Sequence, residues 1–218
     1  MVFSKTSLQN SLINQRNPRA IYFSNDAYVG WVPGGKVEVI VEDEKLGPVF
    51  YVLTPPVGDK APVITRHTDS CLQCHGNSRT EGVPGMLIRS VNPDGNSHPL
   101  LSHGTTLVDY TTPIKQRWGG WYVSGSSEDP HLGNRATVEG VELEPKLAAL
   151  DDLSGTINTE KYLAPTSDIV AHEQLMKQKY GVKLSIRKDV VNKTLFRSLK
   201  RHYTELFESQ FNLDKKES

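Results

Sequence analysis

Alternating apolar and polar residues predict β-strands over the first half of the chain. Between residues 20 and 42, apolar residues lead to Pro33-Gly34-Gly35, and three valines then alternate with Glu38 and Ile40, as in a half-buried strand. Two such runs joined by a Pro-Gly-Gly turn predict a hairpin. The same criteria predict further strands at residues 49–53, 86–91 and 118–123, and a return strand carrying Pro99, Leu100 and Leu101.

Helical periodicity is confined to the C-terminal part of the chain. Residues 168–180 carry an apolar stripe that Ser167 could cap and Gly181 could end, and a second helix is predicted between residues 189 and 206. Strands followed by helices are typical of the α+β class. We therefore expect an antiparallel sheet with C-terminal helices, divided into a β-rich domain at 1–165 and a helical extension at 166–218 packed on or beside it.

Composition excludes several classes of protein. The 25 basic residues balance the 25 acidic ones, and 37% of the residues are hydrophobic, so neither nucleic-acid binding driven by net charge nor disorder is expected. No apolar run of about 18 residues occurs, the length that a membrane-spanning helix requires. The chain is therefore expected to have no membrane span.

Charge is distributed unevenly along the chain. Residues 128–160 contain eight acidic residues against two basic ones, and residues 181–218 contain nine basic residues against five acidic ones. These segments could be solvated surfaces that partly neutralise each other. They could also form a docking face for a redox partner, since charge complementarity mainly raises the rate of encounter.

The two cysteines of the chain both lie in the pentapeptide Cys71-Leu72-Gln73-Cys74-His75. Thiols three positions apart on a helical turn point to the same side, so both can form thioethers to the two vinyl groups of one porphyrin. The adjacent His75 can then ligate the iron as the proximal ligand. The spacing predicts one covalently bound haem c, on a short helix that Thr68, Asp69 or Ser70 could cap.

A zinc site and a redox-active thiol pair are the alternatives. Structural zinc takes four tetrahedral ligands, and His67 with Cys71, Cys74 and His75 could supply that number. Adjacent ligands at Cys74 and His75 fit the tetrahedral geometry poorly. A thioredoxin-like pair would follow a strand-to-helix pattern, which is not clear here, so the sequence favours haem attachment.

The pentapeptide is the attachment motif of c-type cytochromes, and the chain resembles that class over these five residues. More weakly, Gly82-Val83-Pro84-Gly85, Arg89-Ser90-Val91 and residues 117–123 resemble segments of little-characterised exported bacterial monohaem c proteins. The strands are also similar to the PAS-type sheet of some monohaem c sensors. Seventy residues precede Cys71, with predicted β structure that differs from the small all-α cytochrome c fold.

The resemblance to c-type cytochromes implies an extracytoplasmic protein, in the bacterial periplasm, because bacteria attach haem c after export. Residues 1–7 have no apolar segment of the kind found in signal peptides. We therefore expect a mature form or an excised piece whose signal sequence is absent from this chain.

A six-coordinate iron suits electron transfer and requires a second axial ligand. Met86, eleven residues past His75, is the first candidate, and its thioether would raise the reduction potential relative to a second histidine. In the exported proteins this position is often histidine. The ordinary alternative is a methionine that fills a gap in the core. His131, in a polar loop where a histidine is more often solvated, is the second choice, ahead of His67, His98, His103, His172, Met176 and His202.

The haem propionates require cationic partners. Arginine pairs with a carboxylate in a fork, and Arg89, inside a predicted strand, is preferred over the other arginines near the motif or the aromatic segment, which are Arg66, Arg79 and Arg117. The aromatic side chains of Trp118, Trp121 and Tyr122 are predicted to wall the pocket and to reach a propionate with their N–H or O–H groups. Ordinary aromatic core is the alternative for them.

The chain contains no nucleophile elbow, no phosphate-binding glycine loop and no HExxH motif. We therefore favour an electron carrier over a catalyst: a monohaem c-type cytochrome that transfers single electrons to a protein partner. The alternatives are a haem c-based redox or gas sensor, and the haem domain of a larger redox enzyme. The sequence does not indicate the oligomeric state.

Overall fold

The computed structural model describes residues 1–176 except 44, 45, 57, 60, 81, 83, 110, 138–142 and 148. Its largest element is an antiparallel sheet whose five strands lie side by side in sequence order. Each strand pairs with the next one along the chain, because short connections favour neighbours in space. The strands are β1 (Ala20–Phe23), β2 (Ala27–Trp31), β3 (Val37–Asp43), β4 (Gly47–Thr54) and β5 (Val63–Arg66).

The hairpin predicted around Pro33-Gly34-Gly35 is confirmed. Strand β2 pairs with β3 in the register that sets Trp31 opposite Val37. The apolar run before this turn was predicted as one strand, but a turn after Phe23, closed by a Ser24 amide to Ala27 carbonyl bond of 2.8 Å, divides it into β1 and β2. Local turn chemistry therefore sets the first half of the sheet.

Shorter elements complete the described chain. The six-residue helix α1 (Ser70–His75) follows β5. Strand β6 (Ile88–Val91) pairs with β7 (Thr105–Val108), and β8 (Gly125–Ser126) pairs with β9 (Ala149–Leu150). Single turns of 3₁₀-helix lie at Ser78–Thr80, Leu101–His103, Ile114–Gln116 and Thr159–Lys161. A further α-helix begins at residue 169 and is described through residue 176. Antiparallel sheet with few helices agrees with the predicted α+β class.

The prediction of a strand at residues 118–123 is wrong. Trp118 and Gly120 have positive φ angles of 68° and 80°, which an extended strand does not contain. Gly119 packs so closely on the carbonyl of Val91 that any side chain would overlap it. Contacts distant in sequence therefore impose an irregular path on this segment.

Two smaller predictions are also corrected. The return strand expected at Pro99–Leu101 is replaced by β7, because a 3₁₀ turn and Gly104, with a φ of 80°, intervene. The helix that begins at 169 is capped by Asp168, whose Oδ1 accepts from the Val170 amide at 2.8 Å. Ser167 instead donates its hydroxyl to the Tyr122 carbonyl.

Among the described residues, the buried side chains form two clusters. One surrounds Trp118, Trp121 and Val123 and includes Leu175 and Met176 from the helix that begins at 169. The other surrounds Phe3, Tyr122 and Leu153. Aromatic residues of this segment thus contribute to both clusters.

The remaining C-terminal predictions lie outside the described residues. They concern the part of the helix beyond residue 176, the second helix at 189–206, the basic segment at 181–218 and most of the extension predicted at 166–218, so the predicted domain boundary stays a prediction. Within the part of the chain that the structure describes, no helix has the length and apolar character needed to cross a membrane.

Candidate cofactor site

Helix α1 brings the three residues of the attachment motif to one cavity. Cys71, Cys74 and His75 occupy positions i, i+3 and i+4, which share a helix face. All three line a cavity of about 410 Å³, within the range of about 300–1,000 Å³ typical of cofactor sites. One wall is formed by the cross-strand neighbours Tyr28, Ile40 and Phe50 of the five-stranded sheet.

The helix itself is weakly anchored. None of its residues is buried, and the side chain of Asp69 at its N-terminus accepts no capping hydrogen bond. The Ser70 hydroxyl lies 3.1 Å from His67 Nδ1 and so is turned toward that ring. The predicted side-chain cap is therefore absent from α1, and its position depends on the segments that flank it.

The His75 ring is held by the loop after α1. Its Nδ1 lies 2.8 Å from the carbonyl oxygen of Gly85, and because a carbonyl oxygen can only accept, Nδ1 donates the hydrogen. The Gly85 amide donates in return to the His75 carbonyl over 2.8 Å. In the neutral ring, Nε2 therefore has the free lone pair, the arrangement that orients histidine as a metal ligand.

Partial burial favours the neutral form of the His75 ring. Removal from water is the largest cause that lowers the pKa of His75, while the hydrogen bond to Gly85 raises it. The ring packs on Phe50 of β4, with centroids 5.0 Å apart. These contacts orient the ring, and the neutral form is the one that metal ligation requires.

The two cysteines are free thiols, Cys71 partly buried and Cys74 exposed. Burial raises the pKa of the Cys71 thiol, against a smaller opposite effect of the Ser70 hydroxyl. Catalytic and redox-active cysteines have lowered pKa values. The environment of Cys71 is therefore unlike that of a thioredoxin-like nucleophile.

His67 does not line the cavity with the three other residues considered for zinc. Among the residues that the structure describes, no three His, Cys, Asp or Glu side chains are grouped so that they could hold a metal ion. His67, which would have to join the motif residues, contacts Ser70 instead. A tetrahedral zinc site is therefore not formed by these side chains.

The arginines considered as propionate partners divide into two pairs. Arg79 and Arg89 line the cavity with Cys71 and His75. Arg66 is exposed on β5, and Arg117 is buried against Glu173 with an N–O distance of 2.7 Å; neither lines the cavity. The structure thus brings the preferred Arg89 to the motif and adds Arg79 beside it.

The three aromatic residues expected to wall the pocket have different positions. Trp121 lines the cavity, but its indole N–H donates to the Arg89 carbonyl at 2.8 Å and so fixes β6 and does not project toward a ligand. Trp118 is fully buried against Trp121 and His172 and does not line the cavity. The Tyr122 hydroxyl donates to the Gln15 carbonyl. For Trp118 and Tyr122 the aromatic-core alternative applies.

Met86 lines the same cavity as His75. It directly follows Gly85, whose carbonyl oxygen contacts His75 Nδ1. Its side chain is partly buried and packs against the cluster around Trp118, as a gap-filling methionine does. Met86 as the sixth ligand stays a prediction.

His131, the second choice for the sixth ligand, is not at the cavity. It was expected to be solvated, yet it is 1% exposed, and its Nδ1 accepts from the Gly133 amide at 2.9 Å. Within the described part of the chain, His75 is the only histidine that lines the cavity. His202 lies outside the described residues.

Two features of the site have no clear signature in the sequence. The Gly85 carbonyl is a backbone group, which any residue could supply. The ion pair between Arg19 and Glu38 also lines the cavity, and its guanidinium lies over Gly30, where a Cβ would overlap it. A glycine inside a predicted strand signals such a close approach, but it does not identify the partner.

Comparison of the chain with protein-family models, with curated proteins and with solved structures gave no match. The case for a cofactor site therefore depends on the pentapeptide and on the geometry around it.

Proposed function

We propose that this chain is a monohaem c-type protein that binds haem through Cys71, Cys74 and His75 and transfers single electrons to a protein partner. One observation carries the proposal: the motif residues line one cavity, where the His75 Nδ1 donates to the Gly85 carbonyl and Nε2 is left for ligation. This is the donor set that covalent haem requires.

Cys71 and Cys74 would hold the cofactor as thioethers to its two vinyl groups. Each thioether would form by addition of one S–H across one vinyl group, which requires no net oxidation. Haem c bound at this site would supply a reversible one-electron Fe(III)/Fe(II) couple.

The position of α1 suits exchange of electrons with a partner. Cys74 is exposed and no residue of α1 is buried, so a cofactor tethered here would lie close to the protein surface. The acidic segment at 128–160 could orient a basic partner, because charge complementarity raises the rate of encounter. Haem c is attached after export in bacteria, so we propose a periplasmic location.

Voltammetry of the full chain produced with haem-attachment machinery tests the electron-transfer proposal. A reversible one-electron wave, with a low-spin spectrum in both oxidation states, is the expected result. The His75→Ala variant should lose the low-spin spectrum, whereas His67→Ala, a control close to the motif, should retain it. A haem-loaded chain with no reversible wave would contradict the proposal.

A haem c-based sensor is the second candidate function. The observation that favours it is that Met86 packs against the buried cluster around Trp118, since a methionine retained in the core would leave the iron open to a small ligand. The likeness of the sheet to a PAS-type domain stays part of this candidate as a proposal that rests on the sequence resemblance. Binding of carbon monoxide to the reduced protein is the test. Rapid binding to the wild type that is unchanged in His202→Ala would favour sensing. Binding seen only in His202→Ala would assign His202 as the sixth ligand and favour electron transfer.

A further inference from the structure

Two arginines at the cavity are held in place by the elements that carry them. Arg89 lies in β6, where the Trp121 indole donates to its carbonyl at 2.8 Å and its own Nη2 donates to Thr105 Oγ1 at 3.1 Å. Arg79 lies in the 3₁₀ turn after α1, with its amide donating to Asn77 Oδ1 at 2.8 Å. Both backbones are therefore fixed next to the cavity that contains the motif.

The charges of this pair have no counter-charge among the described residues. Among the described residues, no carboxylate lies within ion-pair distance of Arg79 or Arg89, whereas Arg19 has Glu38 and Arg117 has Glu173. Burial lowers the pKa of Arg89, and the charge of Arg79 lowers it further. Two like charges that face one cavity repel each other, and an anion between them would relieve that repulsion.

The chemistry of the two side chains selects the kind of anion. A guanidinium presents several N–H donors in a planar fork that matches a carboxylate. Only one hydrogen bond from the Arg89 side chain to the protein occurs in the described structure, and most of its donors face no described acceptor. The pair can thus accept one or two carboxylate groups from a ligand in the cavity.

We propose that Arg79 and Arg89 form a carboxylate-binding rim of the cavity. This inference rests on the proposed function in so far as the carboxylates are the propionates of the haem held by Cys71 and Cys74. A free small dicarboxylate would present the same chemistry, and the experiment distinguishes the two sources.

The test uses the full chain with Arg79→Gln, Arg89→Gln and the double substitution. Arg66→Gln is the matched control, since Arg66 is exposed on β5 and does not line the cavity. Haem content is measured first by intact mass, so that failure of the proposed function is seen separately. In loaded protein, each cavity variant should lower the midpoint potential at fixed pH and salt, because loss of a positive charge stabilises the oxidised iron.

The variants should also shift the propionate bending band in the resonance Raman spectrum, with the double variant showing the largest change. Arg66→Gln should leave both readouts close to those of the wild type. Loaded variants that match the control in potential and Raman band would overturn the rim while leaving the haem proposal intact.

If the chain carries no haem, succinate is the probe. Stabilisation of the unloaded wild type by succinate, lost in the double variant and retained in Arg66→Gln, would support the rim with a free dicarboxylate as its ligand. If succinate leaves the melting temperature of the wild type and of every variant unchanged, the rim is overturned.

Discussion

Helix α1 and the segment at residues 117–124 differ in role. The helix contains the residues proposed to bind the cofactor, whereas the segment contributes to the hydrophobic core. The helix has no buried residue, yet Cys71, Cys74 and His75 all line the cavity. Every residue of 117–124 is buried, yet within that segment only Trp121 lines the cavity. Reactive side chains must be accessible to a ligand, whereas closely packed core side chains are inaccessible. The two roles therefore belong to different segments.

Replacement of Trp118 by alanine gives the largest effect expected from this contrast. The side chain is fully buried between Trp121 and His172, and its removal should cost about 3–5 kcal/mol of unfolding free energy. Denaturant titration of the unloaded chain measures it. Leu72→Ala on α1 is the control and should cost far less. A Trp118→Ala variant as stable as the wild type would contradict the stabilising role assigned to the segment at 117–124.

Substitution of Gly119 by alanine should destabilise the protein by about 1–3 kcal/mol, as overpacking does. A Cβ there would overlap the carbonyl of Val91 and lie 2.9 Å from Ser90 Oγ. Gly95→Ala is the matched control, because nothing lies within 4 Å of a Cβ at Gly95. Equal unfolding midpoints for the two variants would show that the segment at 117–124 is not tightly packed.

The pH dependence of stability compares a core histidine with the histidine of α1. Burial lowers the pKa of both His172 and His75, and far more for His172. Below the ordinary value of 6.5, the unfolded chain binds more protons than the folded one at such a site. The stability that each neutral ring contributes is therefore fully present above pH 6.5, and it is lost as the pH falls toward the pKa of the folded state.

His172→Gln should flatten this acid-side loss of stability, and His75→Gln should flatten it less. The slope of unfolding free energy against pH is the readout, since it does not depend on the packing that each substitution removes. A larger flattening in His75→Gln would mean that α1, and not the core, holds the more deeply buried ring.

The double substitution Cys71→Ser, Cys74→Ser should have the smallest effect on folding. Neither thiol belongs to either buried cluster, so the unloaded chain should change in stability by less than about 0.5 kcal/mol. Denaturant titration next to the unloaded wild type measures the difference. A loss comparable to that of Trp118→Ala would place the motif in the core.

Residue patterns predict those parts of the fold that local chemistry decides. The hairpin at Pro33-Gly34-Gly35 follows from turn residues and alternation. The path of residues 117–124 does not, because Gly119 fits against Val91 and Gly120 against Ser4, which are distant in sequence. The polar local sequence around His131 predicted a solvated side chain. The residue is buried, because its burial depends on neighbours that the local sequence does not reveal.

The candidate site also has features that the sequence predicts and features that it does not. The spacing from Cys71 to His75 was sufficient to place the motif on one helix face, and Arg89 was selected from its position in a strand. The acceptor for His75 Nδ1 is the backbone carbonyl of Gly85, which carries no residue signature. Trp118 lies in the core and does not line the cavity, and an aromatic residue in either place looks alike in sequence.

The intact mass of the chain, produced with and without haem-attachment machinery, tests the central claim most directly. The account predicts that the wild type gains the mass of one haem when the machinery is present, that the gain survives denaturation, and that the Cys71→Ser, Cys74→Ser variant never shows it. A wild-type chain that keeps its unmodified mass, while a c-type cytochrome made in the same cells is fully loaded, would contradict the account.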